Sequence, residues 1–153
     1  MENYNFYQTK LSKQYMDGID RSYERVSNSS EVFTLEEDVE RELDKLDQKY
    51  FTDASQTLID PCCGDGNYLA MMLLRRIKNG IYFEQALSTI YGVDLMQDNV
   101  DLCRERLLCG QEHLRPIVEK NIVCADALRY HYRFDGSDPY KTANDLHFDK
   151  LFG

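Results

Sequence analysis

Apolar positions along this chain change period repeatedly, and the changes predict an alternation of helices and short strands. Lys10–Ile19 carries Leu11, Tyr15 and Ile19 at four-residue spacing and predicts a short helix. A polar, serine-rich loop follows from Asp20 to Val32. Thr34-x-x-Glu37 has the form of a capping box, and Leu35, Val39, Leu43, Leu46 and Tyr50 then trace one apolar stripe on a charged cylinder. Thr57-Leu58-Ile59 is too short for a helix and reads as a buried strand. Asn67 to Lys78 returns to helical spacing, with Asn79-Gly80 as its stop. A helical piece around Phe83–Leu87 leads to a second strand, Ile90–Leu95. Gln97–Cys109 forms the next helix, with Val100, Cys103 and Leu107 on one face and Gly110 ending it. A third strand spans Asn121–Cys124, and Arg129–Asn144 is a polar, tyrosine-containing loop.

Strands that alternate with helices imply a parallel sheet with right-handed crossovers, hence an α/β, Rossmann-like half. Residues 1–153 read as one domain, with an N-terminal helical segment at 1–55 and the Rossmann-like half at 56–153. A hydrophobic fraction of 42% and a charged fraction of 29% are ordinary for a globular protein. No apolar run approaches the roughly 20 residues that cross a bilayer. The polar, acidic start Met1-Glu2-Asn3-Tyr4 does not read as a secretory signal, so cytoplasmic residence is the expectation. Cys62, Cys63, Cys103, Cys109 and Cys124 form no Cys-x-x-Cys pair, and His113, His131 and His147 have no metal-ligand spacing. Reduced thiols and no metal are expected; Cys103 and Cys124 fall on apolar positions.

The candidate chemistry sits where strands end. Asp60-Pro61-Cys62-Cys63-Gly64-Asp65-Gly66-Asn67 joins a strand to a helix through glycines, the arrangement that lets backbone approach a nucleotide-like ligand. Asp94 closes the second strand, where a carboxylate can accept hydrogen bonds from both ribose hydroxyls; a plain helix-opening aspartate is the alternative. Asp126 closes the third strand, where it can receive the exocyclic amine of an adenine beside Ala127 and Leu128, or serve only as a turn residue.

These segments together resemble the class I S-adenosylmethionine-dependent methyltransferases, and more narrowly the DNA adenine-N6 methyltransferases of restriction–modification type. Asp60 to Gly66 match the family's first motif, Asp-Pro-x-Cys-Gly-x-Gly, with Cys62 in the variable place. Gly92-Val93-Asp94-Leu95 and Ala125-Asp126-Ala127-Leu128 match its second and third motifs. Phe6-Tyr7-Gln8-Thr9-Lys10-Leu11, followed by Met16, resembles a cofactor-contacting Phe-Tyr-Thr-Pro segment with an inserted glutamine and no proline. The resemblance implies S-adenosylmethionine as cofactor. Thr9 would lie near its methionine carboxylate, Asp60, Cys62, Gly64 and Gly66 around methionine and ribose, Asp94 and Leu95 at the ribose, and Asp126 and Ala127 at the adenine.

The same resemblance makes Phe148–Gly153 a fourth strand, so the expected fold is a class I methyltransferase core truncated after the fourth strand, in a sheet ordered 3-2-1-4-5. The family's catalytic Asn/Asp-Pro-Pro-Tyr/Phe tetrapeptide would follow that strand, and the sequence does not contain it. An aromatic amine is a poor nucleophile, and that tetrapeptide accepts its hydrogens and stacks on the flipped base. Ser137-Asp138-Pro139-Tyr140 is one proline short and precedes the fourth strand; it reads first as a polar turn and second as a displaced catalytic motif. With 27 acidic against 18 basic residues and a net charge of −9, tight DNA binding by this chain alone is not expected. Arg75-Arg76-x-Lys78 and Arg104-x-Arg106 read as solvated helix faces. An open fourth-strand edge calls for a partner, either a second copy or a complementary methyltransferase chain, and no membrane. Two other functions stay open: a catalytically incompetent regulatory or structural subunit, and a protein that sequesters or consumes S-adenosylmethionine.

Overall fold

The computed structural model describes residues 3–12, 22 and 34–152. Asn3 Oδ1 accepts the Phe6 N–H and starts α1 (Tyr4–Leu11), earlier than the apolar spacing places it. Tyr7 and Leu11 form its buried face, and the Tyr7 ring stacks on Phe83 at 4.5 Å. Positions Tyr15, Met16 and Ile19, and the serine-rich loop at its centre, lie outside the described residues.

The stripe from Leu35 to Tyr50 is broken into α2 (Glu36–Leu43) and α3 (Lys49–Thr52). Val39 and Leu43 are buried, whereas Leu35 and Leu46 are exposed. The break is local chemistry: Asp47 Oδ1 takes the Lys49 N–H at 2.9 Å, building a turn where the stripe needs helix. The Thr34 capping box is not formed. Leu35 is the N-cap with no side-chain bond, because Asn67 Nδ2 holds the Thr34 carbonyl at 3.0 Å, outside the helix.

β1 (Leu58–Asp60), α4 (Asn67–Lys78), α5 (Phe83–Ser88), β2 (Ile90–Asp94) and α6 (Gln97–Leu108) follow as the pattern predicts. A 3₁₀ turn (Glu112–Leu114) and α7 (Arg115–Asn121) precede β3 (Ile122–Cys124), and neither was expected from the spacing. Pro116 within the first turn of α7 is tolerated there, since the N–H it lacks has no partner at a helix start. The three strands form one parallel sheet in the order β1-β2-β3, with Asp60 opposite Gly92 and Asp94 opposite Cys124. The molecule is thus mixed α/β, a small parallel sheet flanked by helices.

α4 and α6 pack on one sheet face and on each other. α4 is buried on almost every side, including Leu69, Leu73 and Ile77, because α1, α2, α3 and α5 also lean on it. Gly92 permits this packing: a Cβ there would lie 2.7 Å from Leu69 Cδ1 and 3.0 Å from Cys63 Sγ. Arg76 is fully buried, not a solvated helix face. Its guanidinium donates to the carbonyls of Tyr50 (2.9 Å) and Gln56 (2.5 Å) and to Thr89 Oγ1, so one side chain joins α3 to the entrances of β1 and β2.

The opposite sheet face is covered by the loop after β3. Val93, Ala125 and Tyr130 are buried there with Val123, Ala127 and Phe134 against them. Tyr91 and Phe134 meet at 4.7 Å, and Tyr130 meets Phe134 edge-on at 5.4 Å. Tyr132 and Phe134 adopt left-handed backbone (φ 52° and 49°), a conformation that bulky residues hold only when their surroundings impose it. Here Tyr130 Oη accepts the Phe134 N–H, and Tyr132 Oη donates to the Ala127 carbonyl.

The expected fourth strand is instead part of α8 (Ala143–Phe152). Thr142 Oγ1 accepts the Asp145 N–H while Asp145 Oδ2 accepts the Thr142 N–H at 2.8 Å, a reciprocal cap that starts a helix through Phe148-Asp149. Lys141 pairs with Asp149 along it. Among the described residues both outer strands, β1 and β3, therefore keep an unpaired edge, and Ile59 on β1 is 46% exposed. No helix of the described residues is long and apolar enough to cross a membrane.

Candidate functional site

The carboxyl ends of the three strands stand side by side, and the glycine turn bridges two of them. Asp60 Oδ1 accepts the Cys62 N–H at 3.0 Å, turning the chain as it leaves β1. Cys63 N–H then donates to the Val93 carbonyl of β2 at 2.9 Å. Gly64 (φ 53°) donates its N–H to Asp94 Oδ2 at 3.0 Å, clasping the turn to the end of the second strand. Gly66 (φ 93°) is the N-cap of α4, and its N–H donates to the Cys63 carbonyl at 2.9 Å. Only glycine fits position 66 on two counts: the left-handed backbone, and Cys103 Sγ at 2.7 Å from where a Cβ would stand. The result is a bare backbone cradle followed by the positive end of a 12-residue helix.

Asp94 is more occupied than its position in the sequence suggests. Oδ2 holds Gly64, while Oδ1 holds the Met96 N–H at 2.9 Å and Asn99 Nδ2 at 3.1 Å. A carboxylate has about four acceptor sites, so one remains for a ligand hydroxyl in this arrangement. Leu95, next in the chain, is 58% exposed.

Asp126 lies at the end of β3, with Oδ1 accepting the Leu128 N–H at 2.9 Å. Ala127 is half-buried against the back of the sheet, and Leu128 is 96% exposed. The Asp126 N–H donates to Tyr140 Oη at 2.8 Å, bringing the Asp138-Pro139-Tyr140 segment to this site. Within that segment Tyr140 N–H donates to Asp138 Oδ1, so it is a turn.

Acidic charge dominates the strand ends. Burial, foremost, raises the Asp60 carboxyl above its ordinary range; the Cys62 N–H opposes this and the charge of Asp94 adds to it. The exposed Cys62 thiol is raised by partial burial and then by Asp60 and Asp94. Among the described residues, no lysine or arginine forms an ion pair with Asp60, Asp94 or Asp126.

Asp60, Cys62, Gly64, Gly66, Asp94 and Leu95 are therefore brought together, with Asp126 and Ala127 on the adjoining strand end. Thr9 is not joined to them by any hydrogen bond among the described residues; it is exposed on α1 and its hydroxyl donates to the Asn5 carbonyl at 3.0 Å. The end of α1 does reach the turn, through Arg106. That buried guanidinium donates to the Leu11 carbonyl at 2.8 Å and to Asn67 Oδ1 at 2.6 Å; burial, foremost, lowers its pKa, and the charge of nearby Asp65 opposes this. Reading Arg104-x-Arg106 as solvated therefore fails for Arg106. Helical spacing held the signal for both buried arginines: Arg106 is three residues beyond Cys103, and Arg76 three beyond Leu73, each on its helix's apolar stripe. Of the thiols, Cys103 is core, Cys63 is buried under the turn and Cys124 is half-buried. Compared with known families, curated proteins and solved structures, the chain matches none.

Proposed function

We propose that this chain binds S-adenosylmethionine at the glycine turn, as the cofactor-binding part of a methyltransferase of the DNA adenine-N6 kind. The observation that carries the reading is the clasp between Gly64 and Asp94, which sets a bare backbone cradle beside an acidic strand end. The order β3-β2-β1 corresponds to the 3-2-1 half of the resembled Rossmann-like sheet. Charge supports the choice of ligand. A dinucleotide or nucleoside triphosphate would bring phosphates to strand ends whose carboxylates have no paired cation among the described residues, whereas a sulfonium is favoured there.

The residues fit such a nucleoside. Gly64 and Gly66 let it approach the backbone, and the start of α4 suits a carboxylate. Asp94 accepts one ribose hydroxyl at its remaining site, and the second hydroxyl competes with the Gly64 N–H. Asp126 receives the exocyclic amine, with Leu95 and the backbone of Ala127 beside the base. Thr9 reaches the methionine end only if its hydroxyl leaves the Asn5 carbonyl. The bound cofactor supplies an electrophilic methyl group; activation of an acceptor amine falls to a partner chain, a second copy or a complementary methyltransferase chain seated on the unpaired β1 edge.

A second reading, binding without transfer by a regulatory or sequestering protein, is favoured by the Asp138-Pro139-Tyr140 turn. There Asp138 Oδ1 accepts the Tyr140 N–H and Tyr140 Oη accepts the Asp126 N–H, which sets the segment as a turn against Asp126. Calorimetric titration of S-adenosylmethionine and S-adenosylhomocysteine into the folded chain tests the common core of both readings. Micromolar binding is expected, and absence of heat with both ligands refutes it. Methyl transfer to DNA on adding a partner separates the first reading from the second, and loss of S-adenosylmethionine without DNA identifies a consuming protein.

A further inference from the structure

We infer that Tyr140 determines base specificity, its hydroxyl and the Asp126 carboxylate together reading the amidine edge of an adenine. The inference rests on the nucleoside-binding reading above and assigns a residue to it that lies outside the three strand-end motifs. Tyr140 Oη accepts the Asp126 N–H at 2.8 Å, which leaves its own proton to donate. Asp126 Oδ1 is engaged by Leu128, while Oδ2 takes no hydrogen bond from a described residue. One donor and one acceptor thus belong to two residues joined by a hydrogen bond at the end of β3.

The placement of Tyr140 is built from several sides. The Arg129 guanidinium lies 4.8 Å from the centre of its ring. Arg133 holds the flanking backbone, donating to the carbonyl of Asp138 at 2.6 Å and to that of Lys141 at 2.5 Å. Tyr140 is nevertheless 42% exposed.

Adenine presents an acceptor, N1, beside a donor, the exocyclic amine, which complements this pair. Hypoxanthine presents the reverse, an N1–H and a carbonyl oxygen, and meets donor with donor and acceptor with acceptor. Sites built to hydrogen-bond one partner reject such analogues strongly, because their own polar groups are left unpaired.

The experiment is calorimetry on the full chain with S-adenosylhomocysteine, its inosine counterpart and its 1-deazaadenine counterpart, using wild type and Tyr140→Phe. Wild type should prefer the adenine ligand to the inosine ligand by at least about ten-fold. Tyr140→Phe keeps the ring and its Arg129 contact, and should weaken the adenine ligand by about three- to ten-fold while narrowing that preference. Replacing N1 by carbon should weaken binding by a similar factor in wild type and by little more in Tyr140→Phe, a coupling that a merely structural role for the hydroxyl does not produce. If wild type binds the adenine ligand and Tyr140→Phe retains both affinity and preference, the role of Tyr140 is overturned and the site reading survives. If the variant is poorly folded, the 1-deaza ligand on wild type decides: unchanged affinity overturns the inference. No binding of any ligand by wild type overturns both readings.

Discussion

Replacing Asp94 by asparagine exchanges one carboxylate oxygen for an amide donor, and the structure leaves that donor nowhere suitable. If the asparagine oxygen takes the place of Oδ1, the bonds to Met96 and Asn99 survive, and the new NH₂ faces the Gly64 N–H, donor against donor. Turning the amide over saves the Gly64 bond and forfeits the other two. Either way at least one charge-assisted bond is lost, for which about 1.5–3 kcal/mol is usual. Asp94 is half-buried, so the lower end applies, about 1.5 kcal/mol. For a chain of this length that corresponds to a fall in Tm of about 3–6 °C. Asp94→Ala, which removes all three bonds, should lower it further. Thermal melts followed by circular dichroism, with urea unfolding for the free energy, measure both variants. Exchange of the Gly64 amide should also quicken in Asp94→Asn, since the clasp is what protects it. A variant that melts within about 1 °C of wild type, with unchanged Gly64 exchange, would refute the clasp as a stabilising contact.

Asp60 gives a pH signature of definite sign. Its folded-state carboxyl is raised above the unfolded value of 3.8, so it favours the fold only at acid pH, and that contribution is lost as pH rises through the folded value. Asp60→Asn keeps an acceptor for the Cys62 N–H and should gain stability relative to wild type as pH climbs to neutrality; urea midpoints across pH that differ by a constant amount contradict this. Gly92→Ala places a methyl 2.7 Å from Leu69 Cδ1 and 3.1 Å from Cys63 Cβ, and should cost about 1–3 kcal/mol by urea unfolding. Among the cysteines, exposed Cys62 should react first with a maleimide, slowly at neutral pH because its thiol is raised, and faster as pH increases. Mass spectrometry of partly labelled protein checks the order, and S-adenosylhomocysteine should protect the same residue.

The sheet was legible because its signals are local: short apolar runs at β1, β2 and β3 stand between glycines and acids, and α4 carries an uninterrupted apolar surface. The same locality misled at the two capping boxes. Thr34-x-x-Glu37 has the better sequence and is not used, because Asn67 claims the Thr34 carbonyl from 33 residues away. Thr142-x-x-Asp145 is used and turns an expected strand into α8. Within the candidate site the backbone cradle could be read from Gly64 and Gly66. The reach of Arg106 to Leu11 and of Tyr140 to Asp126 could not, since both depend on how distant segments fold back. Buried arginines are hard to read for a further reason: a guanidinium is accepted inside only where carbonyls converge on it, and a one-dimensional pattern does not reveal that convergence.

The loop that seals the back of the sheet is also the loop that delivers Tyr140. In many enzymes the scaffold and the recognition loops are separate lengths of chain, so recognition can diversify while the scaffold stays fixed. Here Tyr130 and Phe134 complete the core only a few residues before Tyr140 meets Asp126. If Tyr140 reads a ligand as inferred, a change of preference made in this segment disturbs the packing on Val93 and Val123 as well. On that reading the site is evolutionarily stiff: substitutions at Tyr130 or Phe134 would surface as altered selectivity, and attempts to retune selectivity would be limited first by folding.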